Sequence, residues 1–285
     1  MELFPRKLII SASRRQDMPA CALDRLLEQI RAREFSWRQP FSGKEQTLRF
    51  EPGEVFCIAL WSKDFGKLLA DDAALALIEP LNPYFLFTIN DCPELERGLT
   101  ASLDDRLAQA ATIVKRYGAP RMMWRFDPIV HWRDAAGIAH DNLGSFEGIA
   151  RKMAALGVDR CTFSFAQLYG KVLKREKKLG IEFKDPPHEQ KLEILAGMAS
   201  FTETLGIKML CCCQPELCAA HDNVQPAACI DGPYLASVIE ADATGLDLSP
   251  HPSREGCGCT RSIDVGLYEG CAHRCAYCYA NPRLD

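Results

Sequence analysis

Seven short runs of β-branched, aromatic and aliphatic residues, separated by helical patterns, set the tightest limit on how this 285-residue chain folds. They are KLIISAS (7–13), VFCIALW (55–61), YFLFTIN (84–90), RMMWRFD (121–127), RCTFSFA (160–166), IKMLCCC (207–213) and SIDVGLY (262–268). Runs that stay apolar almost without alternation suit strands covered on both faces, as in a parallel sheet flanked by helices. Between the first two, PACALDRLLEQIRAREF places Pro19 in a first helical turn and Leu23, Leu26, Leu27 and Ile30 on one face. SLDDRLAQAATIVKRYG offers Ser102 as a cap, Asp105 three residues on, and Gly118 as a stop. Further helices are expected over 145–156, 188–205 and 232–241, the first two followed by Gly157 and Gly206. The order is β-α repeated, which selects an α/β fold, either a barrel or a doubly wound sheet.

A barrel is the expectation, because no Gly-rich phosphate loop follows the first strand and polar residues recur just after many different strands. These are Ser13, Arg14, Arg15 and Asp17 after the first, Lys63 and Asp64 after the second, and Asn90 and Asp91 after the third. Arg125 and Asp127 end the fourth, and Gln167 and Tyr169 follow the fifth. One (β/α) barrel-like domain of about seven strands is therefore predicted over 1–285, with 207–285 as its cysteine-rich C-terminal part. Two polar, basic stretches, 37–54 and 169–189, read as lids or substrate-facing loops, or as solvated helix or loop.

Charge and hydropathy narrow the partners. The 34 basic residues nearly balance 38 acidic ones for a formal charge of -4, so no diffuse attraction to a polyanion is expected, and a nucleic-acid partner is disfavoured. No stretch approaches the roughly 18 to 20 consecutive apolar residues that cross a bilayer, and the start, MELFPRKLII, is no signal peptide. A cytoplasmic location is expected.

Fourteen cysteines are many for such a compartment, where disulfides do not explain them. Cys21, Cys57, Cys92 and Cys161 are scattered and read as small buried hydrophobes, whereas the other ten lie between Cys211 and Cys278. Straight after the last strand, Cys271, Cys275 and Cys278 form C-x3-C-x2-C. Three thiolates from one loop can hold three irons of a [4Fe–4S] cubane and leave the fourth iron open, where other cluster proteins normally supply four cysteines. The alternative is a structural zinc site on the same thiolates with His273 or a fourth cysteine, although zinc ligands usually pair as C-x2-C or C-x4-C. Upstream, Cys212, Cys229, Cys257 and Cys259 form a second candidate set, with Cys213 or Cys218 in place of Cys212. In C-G-C a small, flexible glycine lets two thiolates converge. An auxiliary cluster, a zinc ion or unligated thiols remain alternatives there.

The triplet, with Tyr277 just before its last cysteine, resembles the signature of the radical S-adenosylmethionine superfamily. That resemblance implies that the open iron chelates the methionine moiety. One-electron reduction then cleaves the sulfonium to a 5'-deoxyadenosyl radical, with a reductant such as flavodoxin or ferredoxin. Further segments resemble an uncharacterised bacterial family, a domain of unknown function with C-terminal cysteines of this kind: SASRRQDMPA, W-S-K-D at 61–64, W-R-F-D-P-I-V at 124–130, F-S-F at 163–165, C-I-D at 229–231, C-G-C and S-I-D-V-G-L-Y-x-x-C.

In the superfamily the triplet follows the first barrel strand; here only seven residues follow Cys278. Circular permutation reconciles the two: SIDVGLY takes the place of the first barrel strand and KLIISAS that of the second. No Gly-Gly-Glu follows the neighbouring strand, so Ser11, Ser13 and Arg14, with Tyr277, are the expected S-adenosylmethionine contacts. Arg14, Arg15, Lys63 and Arg125, partnered by Asp17, Asp64 and Asp127, would form a cationic pocket for an anionic small-molecule substrate, or ordinary ion pairs. His131 and His251 read as surface or loop histidines; Tyr169 and Tyr279 as packing residues or hydrogen-atom relays. The reading is a permuted radical enzyme. Its rivals are a non-radical iron–sulfur electron-transfer protein and a zinc-stabilised barrel acting as a binding module or hydrolase.

Overall fold

The computed structural model describes residues 7–39 and 42–280. Eight parallel strands form its main sheet: β1 (Leu8–Ala12), β2 (Val55–Ser62), β3 (Pro83–Thr88), β4 (Met122–Ile129), β5 (Arg160–Phe165), β6 (Lys208–Cys211), β7 (Val224–Pro226) and β8 (Ile263–Asp264). Their order across the sheet is β7-β6-β5-β4-β3-β2-β1-β8. Chain order and spatial order thus agree from β1 to β7, and the last strand in sequence sits outside the first. β8 pairs parallel with β1, Ile10 opposite Ile263 and Ser11 opposite Asp264. No pairing among the described residues joins β7 to β8. The α/β class is as expected, but the sheet gains one strand over the seven anticipated and its closure into a barrel is not formed by backbone pairing.

Helices follow the strands: α1 (Leu23–Ala32), α2 (Asp72–Ile78), α3 (Leu103–Tyr117), α4 (Phe146–Ala155), α5 (Gly170–Leu179), α6 (His188–Thr204) and α7 (Gly232–Val238). Ser102 and Asp105 make a reciprocal capping box on α3, and Gly118 ends that helix at φ 83°. The two polar stretches are structured. Within 37–54, Glu45–Arg49 pairs antiparallel with Glu34–Arg38; within 169–189, α5 is followed by Glu182–Lys184, which pairs with His131–Arg133.

Strand residues alternate between two apolar groups, the period-2 consequence of the pleat. Ile10, Leu60, Phe87, Phe126 and Phe163 pack with Leu26, Ile113, Ile149 and Leu195 of the helices. Ile9, Cys57, Ala59, Tyr84, Leu86, Met123 and Leu210 face the other way, against Leu235 and Ile239. α7 caps the N-terminal ends of the strands, where Tyr234 donates to the Pro120 carbonyl at 3.1 Å and Arg160 pairs with Asp231 at 3.7 Å. Toward the C-terminal ends the same face turns polar: Ser11 and Ser13, Trp61 and Lys63, Arg125 and Asp127, Ser164, and then Cys212. This register delivers the polar strand ends to one rim.

Candidate functional site

The triplet loop leaves β8 at that rim and is pinned from three sides. Asp17, which caps the short helix Met18–Cys21 by accepting from the Ala20 amide at 3.0 Å, also takes His273 Nε2 at 2.7 Å, the Lys63 amide at 2.8 Å and the Ser62 hydroxyl at 2.8 Å. Burial opposes a charge on His273, but the Asp17 carboxylate wins and raises its pKa. His273 is therefore engaged in holding the loop. From the second side, segment 92–99 runs against it: the Ala276 amide donates to the Leu95 carbonyl at 2.7 Å and the Gly98 amide to the His273 carbonyl at 2.9 Å. Gly98 is required there, since a Cβ would fall 1.8 Å from the Ala272 carbonyl oxygen. On the third side Arg175 of α5 donates to the carbonyls of Ala276, Cys278 and Ala280.

Held this way, the three thiols of Cys271, Cys275 and Cys278 sense one another's charge. Burial, aided by Glu96, pushes the Cys275 thiol far up. Cys271 is instead drawn down to about 6, first by hydrogen bonding with the Cys21 thiol and then by His273. Cys21 is thus a correction: of the four scattered cysteines, Cys57, Cys92 and Cys161 are buried, but Cys21 lies beside the triplet and also accepts from the Ala272 amide at 3.3 Å. Cys92 packs in the same apolar group as Cys275 and Tyr277.

The expected cationic pocket is divided. Ser11, Ser13, Arg14 and Arg15 gather on Asp264 of β8: Ser13 Oγ donates at 2.7 Å, Ser11 Oγ at 2.9 Å and the Arg14 amide at 2.8 Å, with both guanidiniums 3.8 Å away. Asp264, unremarked in the sequence, takes the role foreseen for Asp17. Lys63 reaches Glu96 at 2.9 Å and Asn90 at 3.0 Å, while Asp64 binds Gln109 at 2.7 Å. Tyr277 donates to Glu96. Arg125 does pair with Asp127, as anticipated, and Ser164 donates to the same carboxylate. Three buried polar atoms near the triplet, Arg15 Nη1, Gln16 Oε1 and Asn90 Nδ2, have no hydrogen-bond partner among the described residues. A buried polar atom without a partner calls for an explanation, and a bound water or ligand group is one.

A cavity of about 930 Å³ opens beside Tyr279, the residue after Cys278. Arg25, Arg38, Lys171, Trp37 and Tyr268 are among its lining residues. Tyr268 carries Arg15 and Lys171 over its ring at 5.6 and 5.7 Å and meets Tyr279 edge-on at 6.5 Å. His131 stacks on Phe165, and the His251 amide binds the Cys259 carbonyl, so neither faces the triplet.

The second set of thiols also assembles. Cys212 Sγ lies 3.6 Å from both Cys213 Sγ and Cys229 Sγ. Cys259 interacts with Cys229 and Cys257, and Cys257 with Cys213. Gly258 permits this by close approach, a Cβ there coming 2.9 Å from the Ala227 carbonyl oxygen. Cys218 is elsewhere, beside Cys211. Among the described residues no three His, Cys, Asp or Glu side chains converge on a point suited to a single metal ion. The triplet offers three thiols from one loop, the donor type that an iron–sulfur cluster or a zinc ion takes.

Fold and site together define a parallel α/β protein with a thiol-rich rim at the C-terminal strand ends. No helix among the described residues is long and apolar enough to cross a membrane. The chain belongs to the family described as Domain of unknown function (DUF1848), whose model matches residues 9–280. No curated protein and no solved structure matches it.

Proposed function

We propose that this protein is a radical S-adenosylmethionine-type enzyme built on a circularly permuted partial barrel, with a [4Fe–4S] cluster on Cys271, Cys275 and Cys278. The observation that carries the reading is the parallel pairing of β8 with β1, which gives the C-terminal triplet loop a first-strand position next to Ser11. Bound there, the cluster would supply the single electron for S-adenosylmethionine cleavage. The chain's own groups have distinct tasks. Arg15 Nη1, Gln16 Oε1 and Asn90 Nδ2 are free to bind the carboxylate, amino and ribose groups of the cofactor. Asp17 and Arg175 fix the loop, and Tyr277 screens Cys275 from water while donating to Glu96. The cavity bordered by Arg25, Arg38 and Lys171 suits an anionic small molecule with an aromatic portion.

A second reading has its own observation. Cys21 lies beside the triplet loop, accepting from the Ala272 amide at 3.3 Å, and as a fourth ligand it would close the cluster and leave an electron-transfer protein. One experiment separates them: anaerobic protein, reconstituted and reduced with dithionite, is incubated with S-adenosylmethionine. Formation of 5'-deoxyadenosine and methionine, lost in Cys275→Ala and kept in Cys21→Ala, supports the enzyme. No cleavage by the wild type, or cleavage that survives Cys275→Ala, rules it out.

A further inference from the structure

The cavity of about 930 Å³ beside Tyr279 is lined by positive charge left unanswered among the described residues. Arg25 of α1 is the clearest case. Its Nη2 donates to the Ser36 carbonyl of the hairpin at 2.7 Å, while its Nη1 is buried and has no hydrogen-bond partner among the described residues. No carboxylate of those residues pairs with Arg25, and burial lowers its pKa with nothing to offset it. Lys171, in the first turn of α5, has no ion pair there either; its Nζ stands 5.7 Å from the centre of the Tyr268 ring. Arg38 reaches only Glu45, at 3.6 Å and with both side chains exposed. A half-buried guanidinium that one carbonyl orients and no acid neutralises is prepared for an anion from outside.

The other walls narrow the kind of anion. Trp37 is half-buried, and its ring has no aromatic or cationic partner among the described residues. Tyr268 and Tyr279, edge-on at 6.5 Å, add further aromatic surface. Unpaired aromatic surface takes a planar ring by stacking. Two carboxylates, Glu45 and Glu269, also line the cavity, and Glu269 has no ion pair among the described residues. They would repel an aromatic acid without donors of its own, but they accept from hydroxyl or amino groups. A ligand that satisfies all three walls therefore carries an anion, a planar ring and several such donors. The volume suits one small molecule, and the formal charge of -4 disfavours a nucleic-acid strand.

We propose that this cavity binds a free nucleoside phosphate, with the phosphate on Arg25 and Lys171, the base against Trp37, and sugar hydroxyls donating to Glu45 or Glu269. As a statement about the substrate it deepens the preceding reading and rests on it; as a statement about binding it stands on the cavity alone. Tyr279 directly follows Cys278, so a nucleotide held here lies beside the triplet loop. Phosphate and base are recognised by one unit, because the Ser36 carbonyl that orients Arg25 belongs to the strand that carries Trp37.

Isothermal titration calorimetry on the full chain, purified anaerobically, tests this with the four ribonucleoside 5'-monophosphates, the matching nucleosides and inorganic phosphate. At least one monophosphate should bind once per chain, and its nucleoside and inorganic phosphate should each bind at least about tenfold more weakly. Arg25→Met should weaken that monophosphate by about 10- to 100-fold and its nucleoside hardly at all, a selectivity that loss of the fold would not give. Trp37→Leu should instead weaken nucleotide and nucleoside alike. Should Arg25→Met fail to fold by circular dichroism, Lys171→Met, a change at an exposed side chain, replaces it with the same selectivity expected. No binding of any monophosphate at millimolar concentration, a nucleoside that binds as tightly as its monophosphate, or a folded Arg25→Met protein that binds like the wild type overturns the proposal. Displacement of the monophosphate by S-adenosylmethionine also overturns it, since the cavity would then be the cofactor's. The titrations need neither reductant nor cleavage: their failure leaves S-adenosylmethionine cleavage by the wild type untouched, and nucleotide binding without cleavage refutes only the radical reading.

Discussion

Glu96 offers the sharpest check on how the triplet is supported. Its carboxylate is 1% exposed and receives both Lys63 Nζ, itself 12% exposed, and the Tyr277 hydroxyl. Glu96→Ala leaves Lys63 charged and buried with Asn90 as its remaining partner, and strands the Tyr277 hydroxyl. Breaking a buried ion pair from one side costs about 3–5 kcal/mol, and the Asn90 contact argues for the low end, about 3 kcal/mol. At roughly 2–4 °C per kcal/mol for chains near this size, the melting temperature should fall by about 6–12 °C. Glu96→Gln keeps an acceptor oxygen for both Tyr277 and Lys63 and should lose less than Glu96→Ala, by about 1–3 kcal/mol. The double change Lys63→Met/Glu96→Leu removes both charges and should recover most of the loss, since apolar replacement of a buried pair is often neutral. Thermal unfolding of the metal-free, reduced protein by circular dichroism reads all three. A Glu96→Ala shift below about 2 °C, or a double variant as unstable as the single, would refute this account of the site.

Three other outcomes follow from neighbouring contacts. Gly98→Ala should detach the triplet loop, because the added methyl group overlaps the Ala272 carbonyl; faster proteolysis within 270–280 in an otherwise folded protein checks it. Arg175→Ala removes donors to three loop carbonyls and should cost about 2–3 kcal/mol in urea unfolding, while Arg175→Lys restores only part, lacking the planar fork. Cys57, whose thiol burial pushes up from 9.0 to about 12, favours the neutral form in the fold; its stability contribution is complete below pH 9 and is lost as pH rises toward 12. The alkaline limb of the stability curve should therefore be shallower in Cys57→Ala.

Strands written as unbroken apolar runs were legible in the sequence because burial on both faces leaves no room for ambiguity: VFCIALW and RMMWRFD contain β2 and β4 almost whole. β7 was not, since three residues ending in Pro226 carry too little pattern to stand out. The hairpin Glu34–Arg38 with Glu45–Arg49 was missed: Glu34 and Phe35 were read as the end of the preceding helix and 37–54 as a loop or lid, because the outward positions are charged, although Phe35 and Leu48 alternate inward. At the site, the candidate thiols were local and therefore visible: the triplet and C-G-C stand out by spacing. Support was not. Cys21 reaches the triplet from 250 positions away, and Asp264 becomes the partner of Ser11 and Ser13 only when β8 docks on β1. Glu96 sat in a stretch without periodicity, where only the return of Cys275 to pair beside it reveals its place.

The two groups of thiols meet at Arg14. Its carbonyl accepts from Tyr279, the residue that follows Cys278, while its guanidinium turns to Ser262 at 3.1 Å and toward Cys259. Trp61 stands between Arg14 and Arg125, with their guanidiniums 5.4 and 4.8 Å from its ring and its indole nitrogen donating to Ser11 Oγ at 3.0 Å. One peptide unit and one indole therefore belong to both environments, and substituting Arg14 disturbs each of them at once. Residues that touch a single group are the informative ones, Arg175 on the triplet side and Arg254 on the other. If the groups act together, coupling should appear as a departure from additivity when variants at those two positions are combined, because they share no contact of their own.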